Sequence, residues 1–205
     1  MPRVLLSLAC CVGLAFVAVR PATGAATRYR IEPGEPNEVR FHSEATVESF
    51  DGSTDQVRGW IEVDLADLSS GARWRVEVDM ASLDTGIGLR NRHMRDNHLH
   101  TDEFPVAVFE GESDGAAWPA AIPSGGSTIL ELPGTFTLHG VARDRSLAVT
   151  LAHRDDGSIA VETRFPVVLS EHDIPRPKFL MMKLAEEQDV QLELVAIPGD
   201  SEVTR

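Results

Sequence analysis

The sequence predicts an all-β domain, an antiparallel barrel or sandwich of about eight strands. Three observations predict it. Apolar and polar residues alternate with a period of two through most of the chain. Clusters of Gly, Ser, Asp and Pro separate the alternating runs. Most connections between runs are short.

The first element is not part of the domain. Arg3 precedes an apolar run from Val4 to Val19, and small residues follow at Ala22, Gly24, Ala25 and Ala26. A charged start, an apolar middle and a small-residue end predict a secretory signal over residues 1–25, cleaved between Gly24 and Ala26. The run is short for a membrane span. Both cysteines, Cys10 and Cys11, lie inside it, so the mature chain has no disulfide, thiol nucleophile or thiolate metal site. Ser7 stands where a lipidated cysteine at position 10 calls for an aliphatic residue, which argues against a lipoprotein. The expected location is periplasmic or secreted.

About 180 residues remain, enough for one domain with a sizeable core. The predicted domain spans 27–198, with a frayed tail over 199–205. The first strand pair carries Val39, Phe41, Ala45 and Val47 on one face, against Arg40, His42, Glu44 and Glu48. Asp51-Gly52-Ser53 reads as the turn that interrupts it. Ile61, Val63 and Leu65 continue the alternation, and Ser69-Ser70-Gly71 punctuates again. The clearest strand follows, with Trp74, Val76, Val78 and Met80 on one face and Arg73, Arg75, Glu77 and Asp79 on the other.

From Ile87 to Leu99 the alternation breaks. Ile87, Met94 and His98 fall near one face at helical spacing, a thin stripe that suits a short helix lying across a barrel end. Gly111 to Thr128 reads as a long excursion. Its Trp118 either packs over a barrel mouth or covers local core. Leu147, Val149 and Leu151 pair with Ile159 and Val161 across an Asp155-Asp156-Gly157 hairpin. Pro175 and Pro177 hold the next stretch extended. Phe179 to Met182 is an unalternated patch, either core filling or an adaptable lipid contact. Val190, Leu192 and Leu194 form the last strand.

Charge narrows the function. The formal net charge is −13, and removing Arg3 and Arg20 with the leader brings it to about −15. That balance argues against nucleic acid, and against anionic membrane surfaces, as electrostatic partners. It leaves neutral and lipidic ligands open. No GxSxG, SxxK or HExxH motif is present, so no catalytic site is assigned and a non-enzyme is expected. Asp51 to Asp55 lacks the spacing and terminal Glu of a calcium loop.

His93, His98 and His100 crowd one region. On a helix, His93 and His98 point about 140° apart, and His93 and His100 share a face two turns apart. That geometry assigns no metal site. Asp84 and Thr85 read as turn and capping residues, with Gly86 permitting the turn. Thr137 and His139 are expected to alternate outward from Phe136 and Leu138, with Gly140 closing a turn.

Several blocks together resemble the YceI-like family. They are Tyr29-Arg30-Ile31-Glu32-Pro33 with Val39-Arg40-Phe41, then Val78 to Gly86 with Arg90 and His93. Phe104-Pro105 leads on to Phe109, and Gly134 to Val141 closes the set. The likeness covers roughly Tyr29 to Ile197. Pro36-Asn37 and Asn97-His98-Leu99-His100 depart from the usual pattern and mark a divergent subfamily.

The resemblance implies an eight-stranded antiparallel lipocalin-like barrel, with a short helix after Gly86 and an internal apolar cavity. It implies an exported binder that holds an isoprenoid, quinone or fatty-acyl lipid for storage or transport, with no other cofactor. The alternatives are a ligand-free structural or stress-related interaction protein and a His-based metal binder. The expected cavity lining is Phe41, Trp74, Val76, Val78, Met80, Arg90, His93, Met94, Phe109, Phe136 and Leu138. Arg90 and His93 either anchor the helix or meet a polar headgroup. The resemblance further implies a homodimer; transient membrane contact is a separate expectation for a lipid binder.

Overall fold

The computed structural model describes residues 26–45, 49–176, 178–179 and 182–199. The predicted leader over residues 1–25, Val47, Glu48, the Leu180–Met181 part of the apolar patch and residues 200–205 of the expected tail lie outside the described residues.

Eleven strands build the fold: β1 (Thr27–Ile31), β2 (Glu38–Ala45), β3 (Phe50–Thr54), β4 (Val57–Val63), β5 (Ala72–Asp79), β6 (Val106–Ser113), β7 (Ser127–Leu138), β8 (Val141–His153), β9 (Ile159–Val168), β10 (Lys178–Phe179) and β11 (Met182–Pro198). All described pairings are antiparallel. β1 pairs with β4 and β2 with β3, and β11 pairs with both β1 and β2. β1–β2 and β3–β4 thus act as two long interrupted strands. With β5, β6, β7, β8, β9 and β11 they close an eight-stranded barrel; the outer edge of β3 is met by one bridge, Ser53 with Asp84.

Asn37 mends the interruption in the first long strand. It is buried, its Nδ2 donates to Glu32 O (2.7 Å), and its Oδ1 accepts from Val195 N–H (2.7 Å). Backbone groups freed by the break are thereby paired again.

The predicted turn at Asp51-Gly52-Ser53 is corrected: these residues lie inside β3. Gly52 faces Phe41 across the ladder, and a Cβ there would overlap the Phe41 ring. The glycine makes space for an aromatic neighbour rather than bending the chain. Gly111, read as the start of the excursion, is likewise within β6.

One barrel end is sealed. Leu65, Leu68 and Ile122 are buried there. Leu68 N–H donates to Ala120 O (2.9 Å) and Ile122 N–H to Leu65 O (2.8 Å). Trp118 comes from the same excursion and packs 6.5 Å from Trp74; its Nε1–H donates to Glu131 O (3.3 Å). The opposite end carries the helix α1 (Gly88–Met94), a single π turn over Arg95–Leu99, the β7–β8 turn and the 3-10 turn Leu169–His172. Among the described residues no helix is long and apolar enough to cross a membrane.

Candidate functional site: a blind apolar cavity under a helix

Alternation along eight closed strands points one side chain in two into the barrel. The inward set does not fill the space. It encloses a cavity of about 850 Å³, within the range of sites that hold small organic ligands. All eleven predicted residues, Phe41, Trp74, Val76, Val78, Met80, Arg90, His93, Met94, Phe109, Phe136 and Leu138, lie on its wall. So do residues that alternation did not single out as lining, among them Phe50, Ile87, Leu89 and Trp118.

The wall is apolar except for Arg90, His93, His98, Thr163 and Gln188. Four of these five sit toward the helix end. Most are already partnered. His98 Nδ1–H donates to Pro175 O (2.9 Å), Thr163 Oγ1 to Ala148 O (2.9 Å) and Gln188 Nε2 to Ala185 O (2.9 Å). Burial holds the His98 imidazolium in disfavour and lowers its pKa. At the deep end Trp74 stacks near Phe109 and Trp118. Its buried Nε1–H has no acceptor among the described residues.

The helix is held by polar bonds, as its thin apolar stripe requires. Asn91 is the latch. Its Oδ1 accepts from Thr85 N–H (2.9 Å) and from Thr85 Oγ1 (2.6 Å), and its Nδ2 donates to Asp84 Oδ1 (2.7 Å). Gly86, at φ +79°, turns the chain so that its N–H also reaches Asp84 Oδ1 (2.8 Å). Those bonds, Asn91 first, keep the Asp84 carboxyl below its usual pKa. Asp84 in turn exchanges two backbone bonds with Ser53 of β3 (both 2.9 Å). Arg90 donates to Thr85 Oγ1 (2.8 Å) and Thr85 O (2.7 Å), and its guanidinium lies 4.1 Å over the Phe50 ring. Arg90 thus ties the helix to the barrel rim. His93 makes no side-chain hydrogen bond among the described residues. Helical spacing puts Asn91, with Arg90, on the face of Ile87 and Met94; its bonding to Asp84 and Thr85 carries no sequence signal.

The histidines do not form the predicted pattern. His100 lies beyond the helix in a left-handed conformation, so it shares no face with His93. It packs instead on His139, Nδ1 to Nε2 at 2.8 Å. His139 was expected to point outward; the sheet ends at Leu138, and His139, at φ +52°, turns back and donates Nδ1–H to His172 O (3.0 Å). Its own Nε2 is therefore the acceptor of the His100 bond. His172, almost fully buried, donates to Val141 O (3.1 Å), and burial lowers its pKa. This relay joins the post-helix turn, the β7–β8 turn and the 3-10 turn into one frame. Among the described residues no group of three or more His, Cys, Asp or Glu converges to hold a metal ion.

The profile of the YceI-like domain matches residues 29–196. The chain belongs to the YceI-like family. Solved structures similar to this YceI-like barrel include three from bacteria. A polyisoprenoid-binding domain from Saccharophagus degradans, implicated in plant cell wall breakdown, has a TM-score of 0.67 at 18% identity, covering 85% of this chain and 99% of that one. Burkholderia cenocepacia BcnA has a TM-score of 0.63 at 19% identity, covering 78% and 95%. The Campylobacter jejuni YceI protein has a TM-score of 0.57 at 16% identity, covering 76% and 88%. No curated protein sequence matches the chain. At these identities the likeness establishes the fold; the contents of this YceI-like cavity follow from its own wall.

Proposed function

We propose that the protein is an exported lipid carrier. It holds one isoprenoid, prenyl-quinone or fatty-acyl amphiphile, with the tail in the barrel and the polar head near the helix, for storage or transport. One observation carries this reading: an 850 Å³ apolar cavity whose polar side chains gather toward one end. Each methylene taken out of water contributes about 0.8 kcal/mol, so a long chain does not escape into water. Exchange with another apolar phase costs little, which suits a carrier. The Saccharophagus degradans neighbour, a polyisoprenoid-binding domain, supports the same ligand class. The leader and a cysteine-free mature chain support export to the periplasm or medium. A wall without an activated nucleophile or a metal-ligand group among the described residues supports binding rather than catalysis.

Native mass spectrometry of the purified protein, before and after solvent extraction, tests the reading. The expected result is a mass excess that extraction removes and that fragments as a long-chain amphiphile. A protein that is empty as purified, and that takes up no prenyl or acyl lipid on incubation, would leave the barrel as a ligand-free scaffold.

A further inference from the structure

Of the described residues on the cavity wall, only Ile87, Leu89 and His93 are exposed. All three stand on or beside α1, so the cavity meets solvent there. Ile87 is 51% exposed and Leu89 61%. Isolated exposed aliphatics such as Ile129 and Ile197 on the outer wall are ordinary. Two neighbours at the lip of an apolar cavity are not, because water must cover the lip and the mouth together.

Charge at this lip runs against the charge of the whole chain. The net charge is −13, yet residues 86–95 contain Arg90, Arg92 and Arg95 and no acid. Elsewhere on the barrel several arginines are matched, Arg58 with Glu77, Arg73 with Glu62, Arg75 with Glu110 and Arg164 with Asp189, while Arg28 lies over Trp60 and Arg143 and Arg145 donate to backbone carbonyls. Arg92 is exposed and has no ion-pair partner among the described residues. Arg95, half-buried, donates to Ala81 O at 3.3 Å and lies near enough to Asp84 for its charge to help lower that carboxyl's pKa. Leu89 and Arg92 are three residues apart and share a helix face. The flanking acid Asp84 is committed to Asn91 and Gly86; Asp96 is the one other acid adjoining the helix in sequence. At the same barrel end the β10–β11 register places Lys178 opposite Lys183, the only lysines in the chain.

We propose that this end of the barrel docks on an anionic lipid bilayer: Ile87 and Leu89 enter the interfacial layer, and Arg92 and Arg95 meet lipid phosphates. Apolar residues beside cations are the pattern of a side chain set that lies in a membrane interface. Exposed acids stand at this end too, Asp96, Asp102, Glu103, Glu171 and Asp173, so the basic patch is confined to α1 and its flank; the acids at the far end do not forbid docking. Strands of twelve and thirteen residues carry β7 and β8, so the far end stands several Debye lengths from the surface. A docked mouth lets cargo pass between bilayer and cavity without crossing water. The inference takes its purpose from the lipid-carrier reading, but its surface stands without it.

The test is sedimentation of the mature full-length chain with vesicles of phosphatidylcholine alone or mixed with phosphatidylglycerol. The wild type is expected to bind the anionic vesicles and to release them as salt is raised. Arg92→Glu with Arg95→Glu is expected to weaken that binding about ten-fold or more while retaining cargo by native mass spectrometry, since neither residue lines the cavity. Ile87→Ser with Leu89→Ser is expected to weaken binding to a similar degree, with circular dichroism confirming the fold. Equal binding by wild type and both variants, or no binding by the wild type, overturns the docking surface. So does a wild-type dimer in solution that the Ile87/Leu89 variant dissolves without any vesicle binding, because a second copy is then the occupant. Vesicle binding by a wild type that never carries lipid would remove the carrier reading and leave docking in place.

Discussion

At the scale of single residues, Asn91 and His172 carry more of the site than their types suggest. Asn91 joins Thr85 and Asp84 through three hydrogen bonds in a buried position. Asn91→Ala leaves those partners short of bonds and is expected to lower stability by about 1–3 kcal/mol, read as a shift in the urea midpoint. Trp74→Phe is the converse case. It keeps most of the ring and removes an N–H that has no acceptor among the described residues, so apo-protein stability should hold or rise slightly.

His172 and His98 give a pH signature. Burial, their largest influence, lowers both pKa values below that of the unfolded chain. The unfolded state then takes up protons first as pH falls. Their contribution is complete above about pH 6.5 and is lost as pH drops from there through the lowered folded values. Denaturation midpoints between pH 8 and 5 should fall in that direction, and His172→Gln should flatten the slope. Asp84, Asp156 and Asp189 have lowered pKa values through hydrogen bonds and ion pairs, and they add a separate loss below about pH 4.

At the scale of elements, legibility followed periodicity. The strand from Ala72 to Asp79 could be read directly, because one face meets the cavity and the other meets water. The interior residues Trp74, Val76 and Val78 were visible for the same reason. Asp51 to Ser53 misled because Gly beside Asp is the usual mark of a turn, whereas here the partner strand decides: Phe41 needs the space. The helix was found by its broken alternation, and its helical turns run to Leu99 as that break suggests; the change of geometry inside it was not legible. A π turn and a left-handed His100 follow Met94, and the sequence offers no Gly or Pro there to announce them. The His100–His139–His172 relay depends on three distant turns meeting, which no local pattern encodes. His139→Ala cuts the middle of that relay, and we expect faster hydrogen exchange in the post-helix turn than in β5.

At the scale of the molecule, cavity volume is the property on which function turns. Val149 lies on the wall and is nearly fully buried. Val149→Phe places extra carbon in the cavity instead of against packed core, so the usual penalty for overpacking does not apply. The expected outcome is retained stability with shorter or fewer bound chains, read by mass spectrometry of extracted lipid. Unchanged cargo with lowered stability would mean that this part of the wall is packed core.

The seal at the Trp118 end has a consequence for traffic. A tube closed at one end is not a conduit, so nothing threads through it and no newcomer displaces an occupant from behind. For the proposed carrier, loading and unloading would retrace one path in opposite order, one passenger at a time. Throughput would then be set by how often the doorway at the helix end faces a donor or an acceptor, and adding more barrels would raise it where widening the bore would not.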